Sequence, residues 1–256
     1  MSDPAFLDAP DGERIAYRHS PGSTPGVLFC AGFHSDMQGD KALALEAWCR
    51  EQGRQFTRFD YLGHGESSGS IAAGRIGRWA EDTLRVLDQV TDGPQIIVGS
   101  SMGGWMMLLA TLARPARVCG LVGIASAPDF TRAMHGMLER NGALAELERQ
   151  GYYDMPSHYP GESTYRIEKA FLDEAEEHCL LDREIPIDLP VRLLHGQADE
   201  DVFWPRSVNL AGKLAGDDVE ITLVKSGDHR LSTPADLARL VRTVDQLVVA
   251  LEAGGG

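Results

Sequence analysis

The run Ile96-Ile97-Val98-Gly99-Ser100-Ser101-Met102-Gly103-Gly104-Trp105 constrains the fold of this chain more than any other segment. An apolar, β-branched stretch enters a G-x-S-x-G turn, and an apolar helix-forming stretch, Trp105-Met106-Met107-Leu108-Leu109-Ala110, leaves it. A strand that turns this sharply into a helix leaves no room for side chains beside the turn, so glycine is needed on both sides. The serine between them takes a strained backbone conformation and lifts its hydroxyl above the sheet edge. Two adjacent serines compete for that place, and register separates them. Gly99 and Gly103 flank Ser101 at two residues on either side, whereas Val98 and Met102 flank Ser100. Ser101 is the candidate nucleophile.

A strand–turn–helix unit calls for neighbours of its own kind, and the chain supplies them. Short β-branched runs at 26–30, 55–60, 95–99, 118–125, 191–195 and 219–224 alternate with helical patterns at 41–52, 78–92, 102–113, 206–215 and 234–252. This alternation predicts an α/β fold with a mostly parallel central sheet flanked by helices. An earlier pair of strands, at 5–7 and 14–17, is joined through Pro10-Asp11-Gly12 and predicts an antiparallel hairpin. The chain's 256 residues fit one such domain. Residues 1–127 and 190–256 form its core in this reading. Residues 128–189 break the alternation, are rich in Glu, Met, Tyr and Pro, and are expected to form a helical cap or lid over one end of the sheet.

A serine hydroxyl is a poor nucleophile near neutral pH and needs a histidine base, which a carboxylate orients and stabilises as imidazolium. Asp199 follows the strand Val191–His195, and His229 follows the last strand, so both are delivered past carboxyl ends of strands where a site is expected. Asp201, Glu200 and Asp228 are rival acids; His195 is expected to bond within the acid's own turn. Acyl transfer also needs donors for the developing oxyanion. The backbone N–H of Met102, at a helix N-terminus, is one; that of Phe33, beside Gly32 in the loop after the first long strand, is the second. His34 in that loop, and Met134, Met137, Tyr152, Tyr153 and Met155 in the insertion, are the expected substrate contacts.

Charge limits the partners. With 24 Lys+Arg against 38 Asp+Glu the net charge is −14, and no basic run offers a surface to nucleic acid or an anionic membrane. No stretch approaches the roughly 20 apolar residues of a membrane span. Cys30, Cys49, Cys119 and Cys179 are scattered, with no paired spacing for zinc, and read as buried thiols in a reducing compartment. The first ten residues lack the pattern of a secretory signal.

These pieces together resemble the α/β-hydrolase superfamily, and the run Phe59-Asp60-Tyr61-Leu62-Gly63-His64-Gly65-Glu66-Ser67 is similar to its D-x-x-G-x-G-x-S loop. A narrower resemblance, to the family of animal mitochondrial acyl-glucuronide esterases and S-depalmitoylases and their bacterial relatives, rests on six segments. They are Gly32-Phe33-His34-Ser35-Asp36-Met37, Gly39-Asp40-Lys41-Ala42, the run Gly93 to Trp105, His178-Cys179-Leu180-Leu181, Arg192-Leu193-Leu194-His195-Gly196 and Ser226-Gly227-Asp228-His229-Arg230. The resemblance implies Ser101, Asp199 and His229 as a triad, in agreement with the spacing. Lacking the animal enzymes' transit peptide, the chain is expected to be cytoplasmic and bacterial.

The expectation is therefore a serine hydrolase of carboxylic esters or thioesters with medium or long acyl groups, acting on a small molecule or an acylated protein without cofactor or metal. An acidic acyl glucuronide would need a local positive patch, from Arg132, Arg206 or Arg230, against the global field. A peptidase or amidase on the same triad is the first alternative, and a non-catalytic receptor on a hydrolase fold the second.

Overall fold

Fully apolar strands bury both faces, and here they stack at the centre of one eight-stranded sheet. The computed structural model describes residues 3–9, 12–156 and 164–254. Its first strands are β1 (Ala5–Asp8), β2 (Arg14–Ser20), β3 (Ser23–Cys30), β4 (Arg54–Phe59), β5 (Gln95–Ser100) and β6 (Val118–Ile124). A short pair follows, β7 (Tyr152–Pro156) and β8 (Thr164–Glu168), before β9 (Val191–Gly196) and β10 (Val219–Val224). The large sheet runs β1-β2-β4-β3-β5-β6-β9-β10. From β4 to β10 every neighbour is parallel; β1 and β2 add an antiparallel edge. The expected hairpin is thus present in its strands, while Pro10 and Asp11 of its turn lie outside the described residues.

Helices cover both faces through apolar stripes. In α1 (Asp40–Glu51) Ala42, Leu45, Trp48 and Cys49 are buried; in α2 (Ile76–Gln89) Ile76, Trp79, Ala80, Thr83, Val86 and Leu87 recur at helical spacing. The helix after the elbow, α3 (Met102–Ala113), is apolar nearly all round and correspondingly buried. Beyond the insertion, α7 (Pro205–Lys213) and α8 (Pro234–Gly254) complete the layers. All four cysteines are free thiols; Cys30, Cys49 and Cys179 are buried, but Cys119 is only half-buried. No described helix is long and apolar enough to cross a membrane.

The insertion is mostly helical, as expected, with one element the sequence did not predict. Alongside α4 (Phe130–Arg140), α5 (Leu144–Gln150) and α6 (Lys169–Ala175) it holds the antiparallel hairpin of β7 and β8. Met155 and Ile167 face inward and are buried, while on the outer side Asp154 meets Arg166 at 2.8 Å across the strands and Arg166 lies over the Tyr152 ring at 3.7 Å. Ser157 and His158 fall outside the described residues. The insertion's two ends are tied together: the buried Asp129 carboxylate accepts the N–H groups of Leu180 and Leu181 at 2.8–3.1 Å. Glu174 accepts from Ile76 and Gly77, so an insertion side chain satisfies the first amides of α2.

Candidate active site

The elbow takes the conformation its glycines permit. Ser101 sits at φ 55° and ψ −119°, and its N–H donates to Ile124 O at 2.9 Å while its own carbonyl accepts from Gly104 and Ala127. A Cβ on Gly99 would strike the Gly103 carbonyl, and one on Gly103 would strike that of Cys30, so neither position takes a side chain without backbone movement. The turns after β9 and β10 are locked the same way. A Cβ on Gly196 would meet the Gly227 carbonyl; Ala198 N–H bonds Gly227 O at 3.0 Å and Gln197 N–H bonds Val224 O at 2.8 Å.

That close approach brings three side chains into line. His229 Nε2 lies 3.2 Å from Ser101 Oγ, and His229 Nδ1 lies 2.8 Å from Asp199 Oδ2. The other carboxylate oxygen, Oδ1, accepts the N–H groups of Asp201 at 2.9 Å and Val202 at 2.8 Å. Burial on its own would push the Asp199 carboxyl up. The hydrogen bonds from His195, His229 and the Val202 amide outweigh it and hold the group well below the usual carboxylate range. The fully buried His195 places Nε2 3.1 Å from Asp199 Oδ2 and 2.9 Å from Val202 O, with Nδ1 2.7 Å from Ser207 Oγ. Two acceptors at Nε2 put the proton there, and the Ser207 hydroxyl then donates to Nδ1. His195 therefore bonds within the acid's turn, as expected from its sequence position, and reaches Ser207 besides. Asp228 is turned to its own loop, accepting Leu231 N–H at 2.9 Å.

These groups open onto a cleft of about 670 Å³. Its apolar wall includes Phe29, Ala31, Phe33 and Tyr165, and its polar wall includes Asp36, Gln38, Lys41 and Arg230. Gly32 packs against the elbow, where an added Cβ would lie 3.3 Å from Ser101 Cβ, so the loop after β3 passes close to Ser101.

Of the expected substrate contacts, only His34 lines this cleft. Met134, Met137 and Tyr153 pack onto the core instead, and Met155 is buried within it. Tyr152 lies beneath the Arg166 guanidinium on the hairpin. From the same insertion β8, with its side chains alternating at period 2, turns Tyr165 to the cleft, a residue not among the expected contacts. The positive patch differs too. Arg132 is paired with Glu176 and Asp182, and Arg206 donates to Pro128 O, which leaves Arg230 of the three at the cleft. Lys41 joins it, its Nζ donating to the Arg230 carbonyl and lying 3.5 Å from Ser232 Oγ. Burial lowers the Lys41 ammonium from its ordinary range.

Among the described residues, Asp199, Asp201 and His229 are the group whose ligand atoms all lie within 4.8 Å, as a metal site would require. Two of these residues are already bonded to each other, His229 Nδ1 to Asp199 Oδ2 at 2.8 Å.

Comparison with known proteins agrees with this architecture. Residues 28–154 match the model of the alpha/beta hydrolase fold family. The mouse mitochondrial palmitoyl-protein thioesterase ABHD10 is 44% identical over 249 residues, which span 95% of this chain and 82% of the mouse protein. This chain belongs to the α/β-hydrolase family. The solved structure of the mouse protein superposes on this hydrolase with a TM-score of 0.91, covering 98% of this chain and 100% of the mouse chain. A candidate hydrolase from Agrobacterium vitis S4, 35% identical, superposes with a TM-score of 0.90 over 96% of this chain and 98% of its own. The expected cytoplasmic location is overturned: the mammalian relatives, at 42–44% identity, are named as mitochondrial proteins, and they lend no support to a bacterial source. This chain is a hydrolase similar to those relatives, which are named palmitoyl-protein thioesterases.

Proposed function

We propose that this hydrolase cleaves carboxylic esters or thioesters through an acyl-enzyme on Ser101. The observation that carries the reading is the continuous chain of contacts from Ser101 Oγ through His229 to the buried Asp199 at the floor of an open cleft. His229 Nε2 takes the hydroxyl proton as Oγ bonds to the carbonyl carbon, and returns it to the departing alkoxide or thiolate. A water, deprotonated by the same nitrogen, then attacks the acyl-enzyme and releases the acid. Asp199, held ionised, fixes the Nδ1–H tautomer of His229 and stabilises the imidazolium. The N–H groups of Phe33 and Met102 receive the oxyanion.

The apolar wall suits an acyl chain and the polar wall a polar leaving group, with the insertion acting as a lid through Tyr165. The likeness to palmitoyl-protein thioesterases supports S-acyl proteins as substrates beside small esters. Ser101→Ala should abolish turnover of p-nitrophenyl esters and labelling by a fluorophosphonate; residual turnover above about one thousandth of wild type would overturn the assignment. A chain-length series in matched oxygen esters, thioesters and anilides then ranks the substrates, and preferred anilide cleavage would turn the reading toward an amidase.

A further inference from the structure

The buried histidine of the loop after β4 has no part in the mechanism above, yet it touches the one strained residue beside the proposed oxyanion donor. His64 is almost wholly buried, and its Nε2 lies 3.3 Å from the backbone N of His34. Its Nδ1 lies 3.5 Å from Leu62 O. A backbone N–H can only donate, so Nε2 must present its lone pair, and the ring proton sits on Nδ1 toward the Leu62 carbonyl. Burial lowers the ring's pKa to about 4, which keeps this neutral form across the range where a histidine base works.

The ring is held firmly. Asp60 clamps the loop by accepting Met37 N–H at 2.6 Å and Glu66 N–H at 2.8 Å. Trp79, whose Nε1 donates to Leu62 O at 3.0 Å, packs edge-on against the His64 ring at 5.2 Å. The recipient is the strained element. His34 has φ 55°, a left-handed conformation that costs a non-glycine residue about 1 kcal/mol or more. Its φ torsion sits next to the Phe33–His34 peptide, one peptide beyond the amide proposed to meet the oxyanion. Rotating out of the left-handed region would swing that amide away from Ser101.

We propose that His64 is a positioning residue of the oxyanion loop, its Nε2 lone pair holding the His34 amide and thereby the aim of the Phe33 N–H. The inference rests on the serine-hydrolase reading and can fail separately from it. His64→Gln sets an acceptor oxygen near the place of Nε2, whereas His64→Asn sets one near Nδ1, and His64→Leu offers none. Because removing an oxyanion donor outright costs about 10²–10³ in kcat, misaiming one should cost about 10- to 100-fold. That loss is expected in kcat for His64→Leu and His64→Asn, with KM within about threefold, and His64→Gln should recover most of it. Affinity for a trifluoromethyl ketone, which forms the tetrahedral adduct, should fall in parallel with kcat, while affinity for the product acid should not.

Wild-type kcat and ketone affinity in His64→Asn and His64→Leu would overturn the proposal. So would equal losses in the Gln and Asn variants that track their melting temperatures, because that result marks a packing role alone. If His64→Leu does not fold, the Gln and Asn pair decides the question unaided. If Ser101→Ala is inert and these variants are unaffected, the positioning inference fails and the triad stands; if Ser101→Ala is active, it is the parent reading that fails.

Discussion

Asp199→Asn removes one charge and, by the geometry of this site, inverts the hydrogen-bond sense at its most consequential point. The carboxylate's Oδ1 receives two backbone amides, from Asp201 and Val202, so the introduced amide must keep its oxygen there. Its NH2 then occupies the place of Oδ2, facing His229 Nδ1 at 2.8 Å and His195 Nε2 at 3.1 Å. Two donors cannot share a bond. His229 answers by moving its proton to Nε2, the nitrogen that must be bare to take the Ser101 proton. The corresponding inversion in a protease triad lowers kcat by about 10⁴, which is about 5.4 kcal/mol at 1.36 kcal/mol per decade. The same order is expected here.

His195 cannot adapt in that way, because its Nε2–H is also committed to Val202 O at 2.9 Å. The donor–donor conflict adds a stability loss of about 1–2 kcal/mol. Steady-state turnover of a p-nitrophenyl ester gives the first quantity and urea denaturation the second. Wild-type-like KM with kcat reduced at least a thousandfold is the expected outcome. A kcat within tenfold of wild type would refute the reasoning, since it would mean that Asp199 does not set the His229 tautomer.

Asp82 gives a pH signature of the opposite sign. Burial, offset in part by the Leu62 amide and by Arg78 and Arg85, raises its carboxyl from 3.8 to about 7 in the fold. The folded state then holds a proton that the unfolded chain releases, so its contribution is largest below about pH 4, declines as pH rises to about 7 and is flat above. Asp82→Asn keeps the acceptor for Leu62 N–H and removes that decline, a gain of up to about 4 kcal/mol at pH 8 and little at pH 4; equal slopes of urea stability against pH in the two proteins would contradict it. Gly103→Ala drives a methyl into the Cys30 carbonyl and should cost about 2–3 kcal/mol or prevent folding, whereas Gly212→Ala, with open space around it in α7, should gain up to about 1 kcal/mol in the same denaturation assay.

The sheet was legible because its signals are local. β-branched runs bounded by turns predicted β4 to β6, β9 and β10 to within a residue or two and the last five residues of β3, and the elbow's register singled out Ser101, the serine that the structure sets at φ 55° beside His229. Asp199 and His229 followed from one rule, that loops at the carboxyl ends of parallel strands share an edge. The hairpin within the insertion was not legible, for physical reasons. In Tyr152–Pro156 only alternate residues turn inward, and a five-residue strand ending in proline gives too short a period-2 signal to override a Glu- and Met-rich surrounding. The place of Lys41 at the cleft was not legible because its partner is a carbonyl 189 residues away, a contact that no local pattern encodes.

The backbone explains why the chemistry gathers where it does. Among the described residues, five that are not glycine have positive φ: His34, Ser101, Ala125, Asp129 and Leu231. All five follow the carboxyl ends of parallel strands, β3, β5, β6 and β10, and none lies at the opposite edge of the sheet. Each such conformation costs about 1–3 kcal/mol and lasts only where neighbours over-determine it. The neighbours are identifiable in each case. Ser101 N–H is held by Ile124 O, Ala125 N–H by Leu194 O, Leu231 N–H by the Asp228 carboxylate and His34 N–H by His64. Asp129, whose residue type tolerates the left-handed region best, binds the far end of the insertion through its carboxylate. At Ser101 and Ala125 the acceptor comes from the neighbouring strand, β6 and β9 respectively, so these two turns hold one another across the sheet. Strain at Ser101 and Ala125 is therefore shared across adjacent parallel strands, whereas His34 and Leu231 are held by side chains of nearby loops. His34→Gly, which removes the cost of φ 55° at one member, should leave the fold as stable or more so while lowering kcat through a looser oxyanion loop.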